Sequence, residues 1–466
     1  MSDHHNLSSL LEQPHEAVPF FETVLVQTLA GGPACKNPRY PGRPCELSWP
    51  HLWFALILGI LQGVCSYQGI RRLIAQGPLG PFAPVTLTDD AIISRLKRAG
   101  IQPLQEMLER ISRVLAHLIQ PLFPADLARF ATEIFALDET TWDAVQRHLP
   151  ALRAIPKGAT DLLAGKLAGR FNIRTQQWDL VQWRENPVGN CKLDLISLLE
   201  DLREWSLLLI DLGYFSFAFF DYLTQRHFWF ITRLRQGVCS QIVHTYYDQD
   251  GILDALVWLG STGRNSPRTG HLLRLVRFGD GKGLRSYLTN QLNPIALPLI
   301  DIARLYARRW DIELAFLTLK EHLGLHQWWS GLPVLRQQQA WLVLIAAQLI
   351  HALRLLIAQD EGCDPFEVSL PLLVEYLPQI LHQRQHPVSW VLRHGHDLGF
   401  FRPSSRYQVK APSIPVTALH FPQPDLPLTR PALYLMYEKR PNRPPPKTPR
   451  GKLSDVREAP PHPRRN

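Results

Sequence analysis

Residues 205–211, WSLLLID, form an uninterrupted apolar run that ends in an acid. A strand without polar alternation has to be buried on both faces, and such strands sit in the middle of layered α/β sheets. Residues 133–138, EIFALD, make a second short apolar run closing on an acid. Between the two, Lys166–Arg174 and Trp178–Arg184 alternate in polarity and are joined by TQQ, which predicts a hairpin. Leu193–Leu202 and residues 215–225 read as helical, and 228–235 (FWFITRLR) as a further strand. The order β-β-β-α-β-α-β, with acids ending the first and fourth strands, predicts a mixed α/β layered core.

The chain has 466 residues, enough for two or three domains, and its 45% hydrophobic content excludes a globally disordered protein. A net charge of +9 and a pI near 9.3 favour polyanionic partners, nucleic acid before anionic membrane. The six cysteines are scattered with no C-x-x-C pair, so reduced thiols are expected in place of disulfides or zinc. The start MSDHHNLSSLLEQ lacks a basic stretch followed by an apolar one, so no signal peptide is visible. Trp53–Cys65 is too short to span a bilayer, and Trp341–Ala358 carries Gln348, His351 and Arg354, which predicts a buried helix. A soluble cytoplasmic protein with no membrane partner is expected.

Residues 1–125 read as a helical unit placed to bind DNA ends, interrupted by a Pro/Gly-rich connector at 31–50. One helix within it is well punctuated: Thr88 caps it, Asp89 and Asp90 follow, and Lys97, Arg98 and Gly100 end it. The catalytic core would occupy 130–330. Residues 240–295 read as an inserted β subdomain, with HLLRLVRF and LRSYLTNQ flanking the hairpin turn GDGKG. Residues 331–400 read as a helical region suited to dimerisation, and the Pro-rich basic stretch 401–466 as a disordered tail.

Chemistry concentrates in RLYARRWDIELAFLTLKEHLGL, residues 304–325. On a straight α-helix at about 100° per residue, Tyr306, Arg309, Glu313 and Lys320 share a stripe roughly 60° wide, beside an apolar stripe of Leu305, Ile312, Phe316, Leu319 and Leu323. Alone, this pattern also suits a surface helix with an ordinary Arg309–Glu313 pair. Asp138 and Asp211 alter that balance. Two strand-end acids and one helical carboxylate make an all-oxygen site suited to Mg²⁺ or Mn²⁺.

D-x-T-T at Asp138, D-x-G-Y at Asp211 and Y-x2-R-x3-E-x6-K at Tyr306, Arg309, Glu313 and Lys320 resemble the bacterial insertion-sequence DDE transposases. The last pattern resembles the YREK signature of insertion sequence family 4. The resemblance covers about residues 130–345. It implies an RNase H-like mixed sheet core with an inserted β subdomain, flanked by helical N-terminal and C-terminal regions. It implies cut-and-paste transposition through a hairpin, with a homodimer holding double-stranded DNA at two terminal inverted repeats. Asp138, Asp211 and Glu313 would be catalytic and would hold two Mg²⁺ or Mn²⁺ ions, while Tyr306, Arg309 and Lys320 would bind DNA phosphates. The resemblance also implies an aromatic of the β insertion stacked on a flipped base, for which Tyr287 is the nearest candidate and Trp258 a weaker one.

Rival readings stay open at this point. They are an RNase H-like structure-selective endonuclease, a catalytically silent DNA-binding descendant, and a basic membrane-surface protein without a visible anchor. Asp143, Asp194 and Asp221 are rival acids, and Glu321, His322 and His326 a weak zinc pattern.

Overall fold

The computed structural model describes residues 20–30, 46–119, 127–143, 163–185, 196–260, 267–279, 283–325, 327–403 and 409–430. Residues 1–19, most of the 31–50 connector and the tail beyond 430 lie outside the described residues.

The strands are β1 Ile134–Asp143, β2 Leu163–Asn172, β3 Gln177–Arg184, β4 Leu207–Ile210, β5 Trp229–Arg233, β6 Ser240–Gln249, β7 Ile252–Leu259, β8 Leu273–Gly279 and β9 Leu284–Thr289. They form one sheet in the order β3-β2-β1-β4-β5-β9-β8-β7-β6. β1, β2 and β3 pair antiparallel, while β1·β4 and β4·β5 pair parallel. This is the mixed α/β layered core that the sequence predicts, with a single sheet of parallel and antiparallel strands. All four residues of β4 are fully buried, as the apolar run WSLLLID requires.

The β-rich block joins this core directly. β5 pairs antiparallel with β9, through Ile231↔Thr289 and Arg233↔Tyr287, so β6–β9 extend the core sheet at its edge. Its most buried cation, Arg274, is fully enclosed and holds Asp254 through both nitrogens of a fork at 2.7 and 2.6 Å.

The helices are α1 Phe20–Ala30, α2 Trp49–Leu61, α3 Tyr67–Gln76, α4 Asp89–Ala99, α5 Gln102–Leu118, α6 Phe217–Gln225, α7 Leu299–Ala307, α8 Trp310–Leu317, α9 Pro333–Glu361, α10 Leu370–His382 and α11 Pro387–Leu398. Thr88 caps α4 by accepting the Ala91 N–H, as its sequence indicates. The helix expected over 193–202 is only a 3-10 turn, Ile196–Leu198, among the described residues.

α9 passes the length and hydropathy test for a membrane span, yet 94% of its apolar window is buried inside the fold. Its polar residues bolt neighbouring elements together. Gln348 accepts the Trp178 N–H of β3 at 2.9 Å and donates to Ser112 Oγ of α5 at 2.7 Å. Gln338 donates to the Leu96 and Gly100 carbonyls around the end of α4. Burying an amide is tolerable only when its donors and acceptors are paired, and these pairings weld the N-terminal helices to the core. α1–α5, α9 and one face of the sheet share a single hydrophobic cluster, so the N-terminal helices have no separate core. The opposite face packs against α6 through Phe220 and Leu223, and against Leu198 and Leu199.

The expected disordered tail departs from the sequence reading over its first part. Phe401 bridges Val368, Val409, Ala411 and Ile414 pack against the main hydrophobic cluster, and residues 419–430 lie along the β6–β8 region. Leu272 donates to the Leu428 carbonyl at 2.9 Å, His420 to the Tyr246 carbonyl at 2.9 Å, and Arg430 to the Gly270 carbonyl at 2.8 Å. These backbone bonds pair carbonyls and amides at the edge of the sheet, which no compositional reading detects.

Candidate active site

The register of β1 and β4 places two acids side by side. Leu137 is the Cα partner of Ile210, the last parallel pair, so Asp138 and Asp211 each lie one residue beyond it. Alternation then sets their direction. Ile134, Ala136, Leu207 and Leu209 all face the cluster that contains Ile312 and Phe316 of α8, so Asp138 and Asp211 emerge on the α8 side. β1 continues past Asp138 to Asp143, paired only with β2, so Asp138 ends the parallel pairing and not the strand.

Gly169 of β2 is the partner of Asp138, and the absent side chain has a purpose. A Cβ there would lie 2.5 Å from Trp178 and 3.5 Å from Phe316. The Trp178 and Phe316 rings pack with centroids 4.8 Å apart, bringing α8 close to the sheet beside Asp138. Asp311 near the start of α8 accepts from Gln176 Nε2 at 2.9 Å, which anchors the same helix to the β2–β3 turn.

The helix expected to run unbroken over 304–325 is in three pieces. α7 ends at Ala307, and Arg308 and Arg309 form a tight turn whose N–H groups bond back to Leu305 and Tyr306, three residues earlier. α8 then gives way to a π-turn at Thr318–His322. A tightened turn advances more than 100° per residue and a π-turn less, so the four signature residues do not share one straight stripe. Tyr306 is 6% exposed, packs against Tyr287 and points its hydroxyl at the Ile210 carbonyl, 3.5 Å away. Arg309 is 5% exposed; its Nη2 bonds Glu313 Oε1 at 2.7 Å and its Nε lies 3.8 Å from Asp211 Oδ1. Lys320 donates to the Thr141 carbonyl of β1 at 2.6 Å, tying the π-turn to the strand that carries Asp138.

Electrostatics confirm that these charges share one space. Asp138 is raised from its ordinary value to about 6, first by burial and then by Glu313 and Asp211, while the Glu139 N–H and Arg309 pull it down. Sign follows from linkage. The folded form holds the Asp138 proton more tightly than the unfolded chain, so this contribution to stability is full below about pH 4 and is lost as pH rises through about 6. Keeping Asp138 ionised therefore costs on the order of 3 kcal/mol at neutral pH. Asp138→Asn removes the charge at nearly constant shape. In chelator at pH 7.5 its unfolding midpoint should exceed wild type by a few degrees, and the gap should close towards pH 4. Equal midpoints at both pH values would show that Asp138 is not an uncompensated buried acid.

The donor set is three carboxylates on facing elements, which suits a hard divalent cation. Among the described residues, however, no group of three or more His, Cys, Asp or Glu side chains is gathered tightly enough to hold a metal ion. The Arg309 guanidinium lies among the carboxylates, with Nη2 2.7 Å from Glu313 and Nε 3.8 Å from Asp211.

The other sequence candidates are placed as follows. Asp221 accepts the N–H groups of Gly270 and His271 and the His271 ring, which fixes α6 to the start of β8. The Asp143 side chain, Asp194 and His326 lie outside the described residues. Tyr287 is buried between Phe278 and Tyr306, and Trp258 is 6% exposed beneath Arg430, so both aromatics are packing residues in this arrangement. Trp310 escaped the sequence reading. It is 55% exposed and lies beside the acids, its ring 5.3 Å from the Arg309 guanidinium. Its place next to Arg309 in the signature was the available signal.

Residues 193–349 match the family model described as "Transposase DDE domain". That segment holds Asp211, Tyr306, Arg309, Glu313 and Lys320, and Asp138 precedes it. No curated protein sequence matches the chain. Among solved structures, the chain is similar to one described as "Cryo-EM structure of piggyBac transposase synaptic complex with hairpin DNA". The TM-score is 0.37 at 9% identity, over 87% of this chain and 86% of that one. The family match supports a DDE transposase, and with it a nuclease or transposition activity.

Proposed function

We propose that the chain is a cut-and-paste DNA transposase of the insertion-sequence family 4 type, acting on the terminal inverted repeats of its own element. One observation carries the reading: Asp138 and Asp211 stand at the same level on adjacent parallel strands, and Glu313 reaches the same space through Arg309. Asp138, Asp211 and Glu313 would hold Mg²⁺ or Mn²⁺, two ions in the working enzyme. Bound there, the metal supplies Lewis-acid stabilisation of the attacking and leaving oxygens of a phosphodiester. The protein's own contribution is position and charge. α8 holds Glu313 against the sheet, and Arg309 and Lys320 place cations along the edge where a phosphate chain would run. Tyr306 supports the Asp211 turn from behind. The N-terminal helices would grip the DNA end, and a homodimer would pair two ends.

The test uses the full chain, because the N-terminal helices share their core with α9. Labelled DNA carrying the element's ends, incubated with Mg²⁺ or Mn²⁺, should yield nicked, hairpin and joined products resolvable on a gel. Nicking with no hairpin or joined product under any metal condition would reduce the reading to a simple nuclease. No cleavage of end-bearing DNA at all would remove it.

A further inference from the structure

Arg309 is the most enclosed charge at the site, and its surroundings are asymmetric. Its guanidinium carbon lies 6.0 Å from the Tyr306 ring and 5.3 Å from the Trp310 ring. Nη2 is committed to Glu313 at 2.7 Å. Nε faces Asp211 at 3.8 Å, beyond hydrogen-bond distance, and Asp138 also feels this charge. Nε and Nη1 are buried with no hydrogen-bond partner among the described residues. A buried guanidinium with unused donors is costly unless something else is gained. What it gains is mutual repulsion relieved: three carboxylates converge here, and Arg309 is the cation between two of them.

We infer that Arg309 is the resident counter-ion of the metal-free site, and that a divalent cation takes up Glu313 and Asp211 only by displacing the guanidinium from them. This rests on the acids being the metal ligands, as proposed above. The displaced guanidinium then offers its planar fork to an anion, and a phosphodiester of the bound strand is the anion such a fork fits. Metal and DNA thereby help each other. The metal frees Arg309 for a phosphate, and a phosphate that holds Arg309 frees the carboxylates for metal. Reciprocity is thermodynamic, so each ligand raises the affinity of the other by the same factor. Without DNA the site takes up metal only weakly, which restrains cleavage before an end is bound.

The experiment is Mn²⁺ binding, followed by the loss of the free-ion electron paramagnetic resonance signal, in the full chain with and without a short DNA duplex carrying the element's end in excess. Wild type should bind Mn²⁺ weakly alone and about tenfold more tightly with DNA, a coupling of ordinary size. Arg309→Gln should bind Mn²⁺ about tenfold more tightly than wild type without DNA, and should show little further gain when DNA is added. Arg309→Lys keeps a cation that reaches one carboxylate at a time, so it should fall between the two. It also serves as the decisive variant if Arg309→Gln fails to fold by circular dichroism. Weaker or unchanged Mn²⁺ binding in the folded variant would overturn the inference, because Arg309 would then organise the carboxylates for metal and not compete with it. Asp138→Asn separates the two levels. If Mn²⁺ uptake by wild type is unaffected by Asp138→Asn, the acid site itself is wrong. If uptake depends on Asp138 but not on Arg309, only the displacement fails.

Discussion

Asp138→Asn, Asp211→Asn and Glu313→Gln should each lower metal-dependent DNA cleavage by on the order of a thousandfold or more, and a chelator should do the same to wild type. The expected size follows from the site. A carboxamide keeps the shape of each side chain but offers a neutral oxygen, so a cation loses a ligand and its charge is balanced by only two acids. A thousandfold loss corresponds to about 4 kcal/mol of transition-state stabilisation. The three variants should still bind DNA, because each substitution is close in shape to the native side chain and removes negative charge, which does not weaken phosphate contacts. Folding is controlled internally: Asp138→Asn should be at least as stable as wild type at neutral pH, since it removes a buried charge that burial and its neighbours disfavour. A dead but more stable enzyme separates chemistry from structure. Asp221→Asn is the matched control, because that carboxylate caps Gly270 and His271 and faces no other acid of the site. Its cleavage rate should stay within a few-fold of wild type. Robust cleavage by any of the three acid variants would remove that residue from the metal site.

The acids were legible because β-strand chemistry is local. An apolar run with no alternation announces a central strand, and the residue that ends the run is where the chain can first carry a charge. Leu137 and Ile210 end their pairing together, which turns two sequence positions into one site. The hairpin turn signals between β2 and β3 and between β8 and β9 are local in the same sense. The interruption of the helix expected over 304–325 left no such trace. Arg308 and Arg309 are good helix formers, so propensity favours a continuous helix there. Tertiary contacts decide otherwise. Arg308 turns back to Asp311 and lies 4.6 Å over the Phe366 ring, while Arg309 turns to Glu313 and Asp211. The continuity of the β block with the core was equally hidden, since Ile231↔Thr289 joins residues far apart in sequence. The same holds for the N-terminal helices. Their amphipathic patterns are clear, but nothing local says that the apolar faces are completed by α9.

Arg274 shows the limit most sharply and carries the second large effect. In HLLRLVRF it stands on the same strand face as Leu272, Val276 and Phe278, and it is fully buried with Asp254 at 1% exposure. Its fork takes both Asp254 oxygens, and Nη1 donates to the Leu297 carbonyl at 2.6 Å, two residues before α7. The pair thus ties β7 and β8 to the segment that leads into α7 and α8. Arg274→Leu leaves a buried carboxylate and a buried carbonyl without partners, and breaking a buried pair from one side costs about 3–5 kcal/mol. Asp254→Leu should cost a similar amount by stranding the guanidinium. The double variant is the informative one. Replacing both ions by apolar side chains removes the stranded charge, and such replacements are often neutral or stabilising. Urea unfolding should therefore show two single variants strongly destabilised and the Asp254→Leu/Arg274→Leu chain recovering most of the loss, with the Leu297 carbonyl accounting for about 1–3 kcal/mol that does not return. Cleavage should follow the same order, since a loosened Leu297 lets α7 and α8 drift from Asp138 and Asp211. Single variants costing less than about 1 kcal/mol, below the range for a broken buried pair, would mean that water reaches the pair. A double variant no better than the singles would mean that the fold needs the ions themselves and not the absence of an unpaired one.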